Sequence, residues 1–214
     1  MIQLRDYQER IASDASGKLQ EYGCCYLSME CRTGKTITAL SAADRFGAKS
    51  VLFVSKLKAI PSIQADYESL RPHYRMSIVN YESAHKMSGK YDLVILDEAH
   101  SLGAYPKPSK RAKSVKEICK DTPVLYLSGT PSPESYSQLF HQFWVCDFSV
   151  WKDYKTFYNW VHAGYVFVHQ RKVNGYMIND YSSADKRKMW IFPICSSATR
   201  RNRQDSVPIS GNTY

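Results

Sequence analysis

The 214 residues carry 29 Lys and Arg against 20 Asp and Glu, a formal net charge of +9, and suffice for one sizeable α/β domain with a core but not for two full domains. Residues 186–214 place Lys186, Arg187, Lys188, Arg200, Arg201 and Arg203 against Asp205 alone, +5 of that charge, so the rest is only mildly basic and a nucleic-acid partner has to be argued from motifs. The N-terminus has no apolar signal core, no stretch approaches the roughly 20 apolar residues of a membrane span, and no two of the six cysteines have the two- or four-residue spacing of a zinc site; the expectation is a soluble protein of a reducing, cytoplasmic compartment with buried thiols.

Residues 2–22 read as an amphipathic helix, with Leu4, Tyr7, Ile11, Ala15 and Leu19 recurring at spacings of three and four. Gln8 lies within it, and its amide offers the donor and acceptor needed to read an adenine edge, although a solvated Gln is the plainer reading. The apolar run Cys24–Leu27, the loop Met29–Thr36 (Met-Glu-Cys-Arg-Thr-Gly-Lys-Thr) and the helix-like Ile37–Phe46 form strand, loop and helix in succession. That order makes a phosphate cradle: loop N–H groups and the helix N-terminus face the anion, Lys35 reaches the β/γ-phosphates, and the Thr36 hydroxyl can ligate Mg²⁺. The full pattern wants Gly where Met29 stands. Arg32 occupies a position where a small residue, often Gly, lets the loop curl; it could add a phosphate contact or spoil the cradle.

Val51–Val54 and Met76–Val79 are short apolar runs, as in buried parallel strands. They end on Ser55-Lys56-Leu57-Lys58 and Asn80-Tyr81-Glu82-Ser83, polar groups at the carboxyl edge where open parallel sheets gather ligands. Leu93–Leu96 runs into Asp97-Glu98-Ala99-His100 at the same edge. Two carboxylates there suit a nucleotide site, one to hold Mg²⁺ and one to orient and deprotonate the attacking water. Residues 101–113 read as an exposed loop, and a short helix begins over Val115–Cys119. Val124–Leu127 is a further strand closing on Ser128-Gly129-Thr130-Pro131, where Ser128 and Thr130 either bond to the catalytic acid or, more simply, cap the next helix.

Residues 135–162 are rich in aromatics, read here as core rather than as a stacking platform for bases. Tyr165–Val173, Asn174-Gly175 and Tyr176–Ile178 predict a hairpin, because Asn-Gly suits a two-residue turn with positive φ at both positions. Met189–Cys195 could form one more strand, and Ser196–Tyr214 reads as disordered or loosely attached. The division expected is a lobe over 1–185, with its helical and hairpin extension from about 135, and a basic tail over 186–214.

With its motifs in this order, the chain resembles the first RecA-like lobe of a superfamily-two helicase of DEAD/DEAH type or a DNA translocase, nearest in style to the Swi/Snf-like proteins of phages and bacteria, over roughly residues 2–180. Leu4–Gln8 resembles the adenine-reading Q motif, Met29–Thr36 motif I, Val54–Lys58 motif Ia, Ile78–Glu82 the next strand-binding motif, Asp97–His100 motif II and Ser128–Pro131 motif III. The resemblance implies a P-loop NTPase fold, ATP and Mg²⁺ as cofactors, and ATP hydrolysis of the DEAH-box type. Gln8, Arg32, Thr33, Gly34, Lys35 and Thr36 would hold ATP, Thr36 and Asp97 the metal, and Glu98 would activate water. His100, Ser128 and Thr130 would couple nucleotide state to strand binding. Ser55, Lys56, Asn80 and Tyr81 would lie near a nucleic-acid backbone, with double-stranded DNA the expected polymer and, if the chain is phage-encoded, the host cytoplasm its location.

In such motors ATP binds between two lobes, and the second supplies arginine fingers worth on the order of 10³ to 10⁵ in rate. No second lobe is visible here, so the expectation is weak or absent turnover unless that lobe is supplied in trans or belongs to a longer chain. A non-catalytic, nucleotide-gated adaptor for nucleic acid or a protein is the alternative. The motor part of a restriction-type complex is a weaker third, lacking a nuclease motif.

Overall fold

The structure, a computed structural model, describes residues 3–30, 32–189 and 192–196. The first helix, α1 (Asp6–Tyr22), starts four residues later than the hydrophobic spacing suggests. Arg5 is extended (φ −75°, ψ 153°), and its backbone N–H donates to Gln8 Oε1 at 2.9 Å, which fixes the helix start. Gly23 ends it at φ 68° and returns its N–H to the Leu19 carbonyl.

The strands are β1 (Cys24–Ser28), β2 (Ser50–Ser55), β3 (Arg75–Asn80), β4 (Leu93–Leu96), β5 (Val124–Ser128) and, after a separate hairpin of β6 (Val166–Val173) and β7 (Tyr176–Ala184), the short β8 (Ile194–Ser196). Six of them form one parallel sheet in the order β3-β2-β4-β5-β1-β8. Strands buried on both sides need apolar residues at every position, and β4 and β5 are buried throughout. Alternate residues face opposite layers. Cys25, Leu27, Phe53, Ile95 and Leu127 meet α1, α2 (Lys35–Phe46) and α3 (Ile60–Leu70), whose contributions include Ala12, Ala15, Ala39, Ala42 and Ala43. Tyr26, Val54, Leu96 and Tyr126 meet α4 (Lys110–Ile118), α5 (Leu139–Trp144) and α6 (Phe157–Trp160).

That second layer is where the aromatic run goes. Phe140, Phe143, Trp151, Phe157 and Trp160 are buried, with Trp151 and Trp160 centroids 5.1 Å apart and Trp160 stacked on Tyr165 at 5.1 Å. The core reading holds for these five, while Phe148 and Tyr158 remain exposed. The hairpin turns at Asn174 (φ 50°) and Gly175 (φ 86°), both left-handed as expected, and β7 runs on to Ala184 rather than stopping at Ile178.

One expectation needs correction. Residues 101–113 are not one exposed loop: Leu102 and Gly103 are buried, and α4 begins at Lys110, with Ser109 Oγ accepting from the Ala112 N–H at 3.1 Å. Its lysines lie outside while Ala112 and Val115 face the core, too narrow an apolar stripe to stand out in a Lys-rich stretch. The further strand expected within Met189–Cys195 is present as the shorter β8, Ile194–Ser196, paired in parallel with β1 through Leu27 and Cys195. The stretch 197–214 lies outside the described residues. Cys24, Cys25, Cys119, Cys146 and Cys195 are free and buried, and Cys31 lies outside the described residues. Among the described residues no helix is long and apolar enough to cross a membrane.

Candidate nucleotide-binding site

Strand order alone assembles the site. Reading along the carboxyl edge, β3 ends at Asn80, β2 at Ser55, β4 at Leu96 before Asp97, β5 at Ser128 and β1 at Ser28 before the phosphate loop. The acidic pair and the loop are therefore separated by one strand, and that strand carries Ser128. The loop is tied to it: the Met29 N–H donates to the Ser128 carbonyl at 3.3 Å.

The loop is built on left-handed backbone at Arg32 (φ 63°) and Gly34 (φ 75°). The positive φ calls for Gly at position 34, and a Cβ there would also displace the Gln8 amide. Arg32 adopts the conformation that a glycine usually supplies, at a cost of order 1 kcal/mol, and its side chain is exposed. Gln8 is buried: its Nε2 donates to the Thr33 carbonyl at 3.1 Å, beside the Tyr7 hydroxyl, which donates to the same oxygen at 2.9 Å. Gln8 thus clamps the loop and the start of α1 together. Lys35 and Thr36, both half-buried, form the first turn of α2, which has no side-chain cap and no acid in its first turn. Its leading N–H groups and positive end face the loop.

Asp97 is held from two sides. Its Oδ2 accepts from Ser55 Oγ at 2.6 Å, and its carbonyl accepts from the Tyr81 hydroxyl at 2.5 Å. Burial raises the Asp97 carboxyl above the usual range; the Ser55 hydrogen bond and the Lys35 charge pull it down, and the neighbouring Glu98 charge pushes it up. Glu98 sits in left-handed backbone (φ 49°, ψ 46°), a conformation that aims a side chain out of the strand direction. Its Oε2 is 3.1 Å from His100 Nδ1, and the same nitrogen is 2.9 Å from Ser128 Oγ, which also accepts from the Thr130 N–H at 3.1 Å. A continuous path of polar contacts therefore runs from the second acid to the loop after β5.

The four residues expected beside a nucleic-acid backbone divide. Lys56 is exposed and Asn80 half-buried, its Oδ1 accepting from the Ser83 N–H at 2.7 Å. Ser55 and Tyr81 are buried and direct their hydroxyls at Asp97, with Arg111 lying over the Tyr81 ring at 5.2 Å. Edge position is visible in sequence; the direction of a buried hydroxyl is not. Two further groups had no sequence signal. Tyr26, on β1, donates to Gln142 Oε1 at 2.8 Å, and Gln142 Nε2 donates to the Pro131 carbonyl at 2.7 Å. Both side chains are fully buried, so they brace the loop after β5 from behind. Burial pushes the Tyr26 phenol up, keeping it a donor.

A family model described as the SNF2-related domain matches residues 24–189. No curated protein matches the chain significantly.

Proposed function

The chain belongs to the family of SNF2-related domains and is the N-terminal, RecA-like lobe of a superfamily-two, Swi/Snf-like helicase or translocase; from that premise we propose that it binds Mg-ATP across the Met29–Thr36 loop and the Asp97-Glu98 pair. The observation that carries this is the alignment of the uncapped α2 N-terminus, Ser128 and the two acids on three neighbouring strand ends. The donor set fits: a backbone nest and Lys35 for phosphate, and hard oxygen ligands from Thr36 and Asp97 for Mg²⁺. Among the described residues no three His, Cys, Asp or Glu side chains cluster for a metal. When bound, Mg-ATP supplies the transferable phosphoryl group and the metal's charge. Lys35 steadies the phosphates, Glu98 orients and deprotonates the attacking water, and Asp97 is positioned by Ser55 and Tyr81. The contacts from Glu98 through His100 to Ser128 and Thr130 relay the state of that site to the loop after β5, while Lys56 and Asn80, at the ends of β2 and β3 on the other side of β4, meet a backbone, in our reading of double-stranded DNA.

Full turnover in this reading needs a second lobe to supply cationic groups to the phosphoryl. The test measures Mg-dependent ATP binding and phosphate release by the chain, alone and with single-stranded DNA, duplex DNA or RNA. Lys35→Ala should weaken binding by about 10- to 100-fold, the worth of a hydrogen bond to a charged group. Glu98→Gln should keep binding and remove whatever turnover exists above the Lys35→Ala blank. Equal ATP binding by wild type and Lys35→Ala would overturn the site.

A further inference from the structure

The β6–β7 hairpin projects from the lobe with both faces open. Cross-strand partners share a face, so Val173 with Tyr176, Arg171 with Ile178, and His169 with Asp180 line one side, and Lys172 with Met177 and Gln170 with Asn179 line the other. Tyr176 is 77% exposed, Met177 60% and Phe167 55%. A two-stranded ribbon is marginal in water by itself, and apolar side chains on both faces are more than such a ribbon needs for solubility.

Its base, by contrast, is fixed. Ser135 Oγ donates to the Ser182 carbonyl at 2.6 Å and Ser137 Oγ to the Tyr181 carbonyl at 2.5 Å. Tyr181 packs edge-on against Phe157, and Val166 is buried. Ser135 follows shortly after Thr130, so the ribbon is bolted to the segment that leaves the loop after β5.

Charge selects the occupant. Within Val166–Ala184, Arg171 and Lys172 stand against Asp180, and Asp185, just beyond the base, is already engaged by Arg187. The Arg171–Asp180 pair is long, at 3.6 Å, and Arg171 is exposed, hence the pair is weak and exchangeable for a phosphate. Each face therefore sets a cation beside apolar side chains, the combination that grips a polyanion whose sugars and bases are apolar.

We propose that the β6–β7 hairpin is a nucleic-acid-binding arm, with Arg171 and Lys172 on backbone phosphates and Tyr176 and Met177 packed on sugars or bases. This rests on the lobe being a nucleic-acid motor, and it adds a binding surface outside the sheet edge. Because the arm's base is bonded to the segment after Thr130, a polymer on the arm and a nucleotide at the sheet edge would act on one continuous element.

The test is fluorescence anisotropy of the full chain with a labelled short DNA duplex and its single strand, over a salt series. Charge reversal in Arg171→Glu/Lys172→Glu should lower affinity about tenfold or more and reduce the salt slope by about 2, one unit for each phosphate no longer neutralised. Tyr176→Ala should weaken binding about fivefold or more at unchanged slope, with circular dichroism confirming that each variant is folded. Wild type binding neither oligonucleotide, with or without ATP, would break the nucleic-acid reading and the arm with it. Wild type binding while both variants bind equally well would overturn the arm alone. Self-association in sedimentation that Tyr176→Ala abolishes, with DNA affinity unchanged, would also overturn it by making a second copy the occupant.

Discussion

On one face of the sheet, α1 and α2 approach through Ala12, Ala15, Ala39, Ala42 and Ala43, all buried. On the other, the cover is a thick layer of Phe140, Phe143, Trp151, Phe157 and Trp160. Small residues let helices sit close, leaving no volume in which to shift, and α2 is the helix whose first turn holds Lys35 and Thr36. The aromatic layer instead has room for polar groups inside it: Gln142 and His141 are buried there, and Gln142 reaches the carbonyl of Pro131 in the loop after β5. In the reading proposed above, the contrast separates two demands on the lobe: the side that would hold phosphate is set by close contact, and the side that would read the nucleotide's state includes hydrogen bonds that can be remade.

If the aromatic layer is held by volume, truncation should damage it most. Trp160→Ala is expected to cost about 3–5 kcal/mol, seen as a lower denaturant midpoint; a loss within experimental scatter would mean the layer is not a single packed core. Next in size is acid. Burial holds the His141 imidazole down to about 4 from its ordinary 6.5, against the Ala104 carbonyl, 2.6 Å from Nδ1, which favours the charged form. The folded pKa is the lower one, so the neutral ring's contribution is complete above about pH 6.5 and is lost as pH falls towards 4, about 3 kcal/mol in all. His141→Gln keeps a donor for Ala104 without titrating, and its stability should fall less over that window; identical acid profiles would refute the assignment. The smallest effect belongs to the alanine face, where Ala15→Leu should cost about 1–3 kcal/mol by overpacking. A neutral result there would erase the contrast between the faces.

Much of this was legible from residue types. Val51–Val54, Leu93–Leu96 and Val124–Leu127 announce strands buried on both faces because they lack polar alternation. Asp97-Glu98 and Gly34-Lys35-Thr36 fall at one edge as soon as those strands are parallel. Arg32 stands where a glycine is usual, and its positive φ shows why the position matters. Other features were hidden for physical reasons. The Tyr26–Gln142 bond joins residues distant in sequence, so no local pattern encodes it. At Ser55 and Tyr81 the residue type fits solvent and interior equally, and only the twist and end of each strand turn their hydroxyls onto Asp97. Strand β8 was legible only as the longer run Met189–Cys195, because three residues after a proline leave its start unmarked.

The place of β1 in the sheet also bears on how the chain is made. β1 leaves the ribosome before both of its sheet neighbours, β5 and β8, and at about 5–20 residues per second β8 follows on the order of 10–30 s later. Until β8 arrives, the backbone of Cys24–Ser28 has an open edge on that side. A nascent-chain chaperone would matter most during synthesis, before the lobe meets any nucleotide.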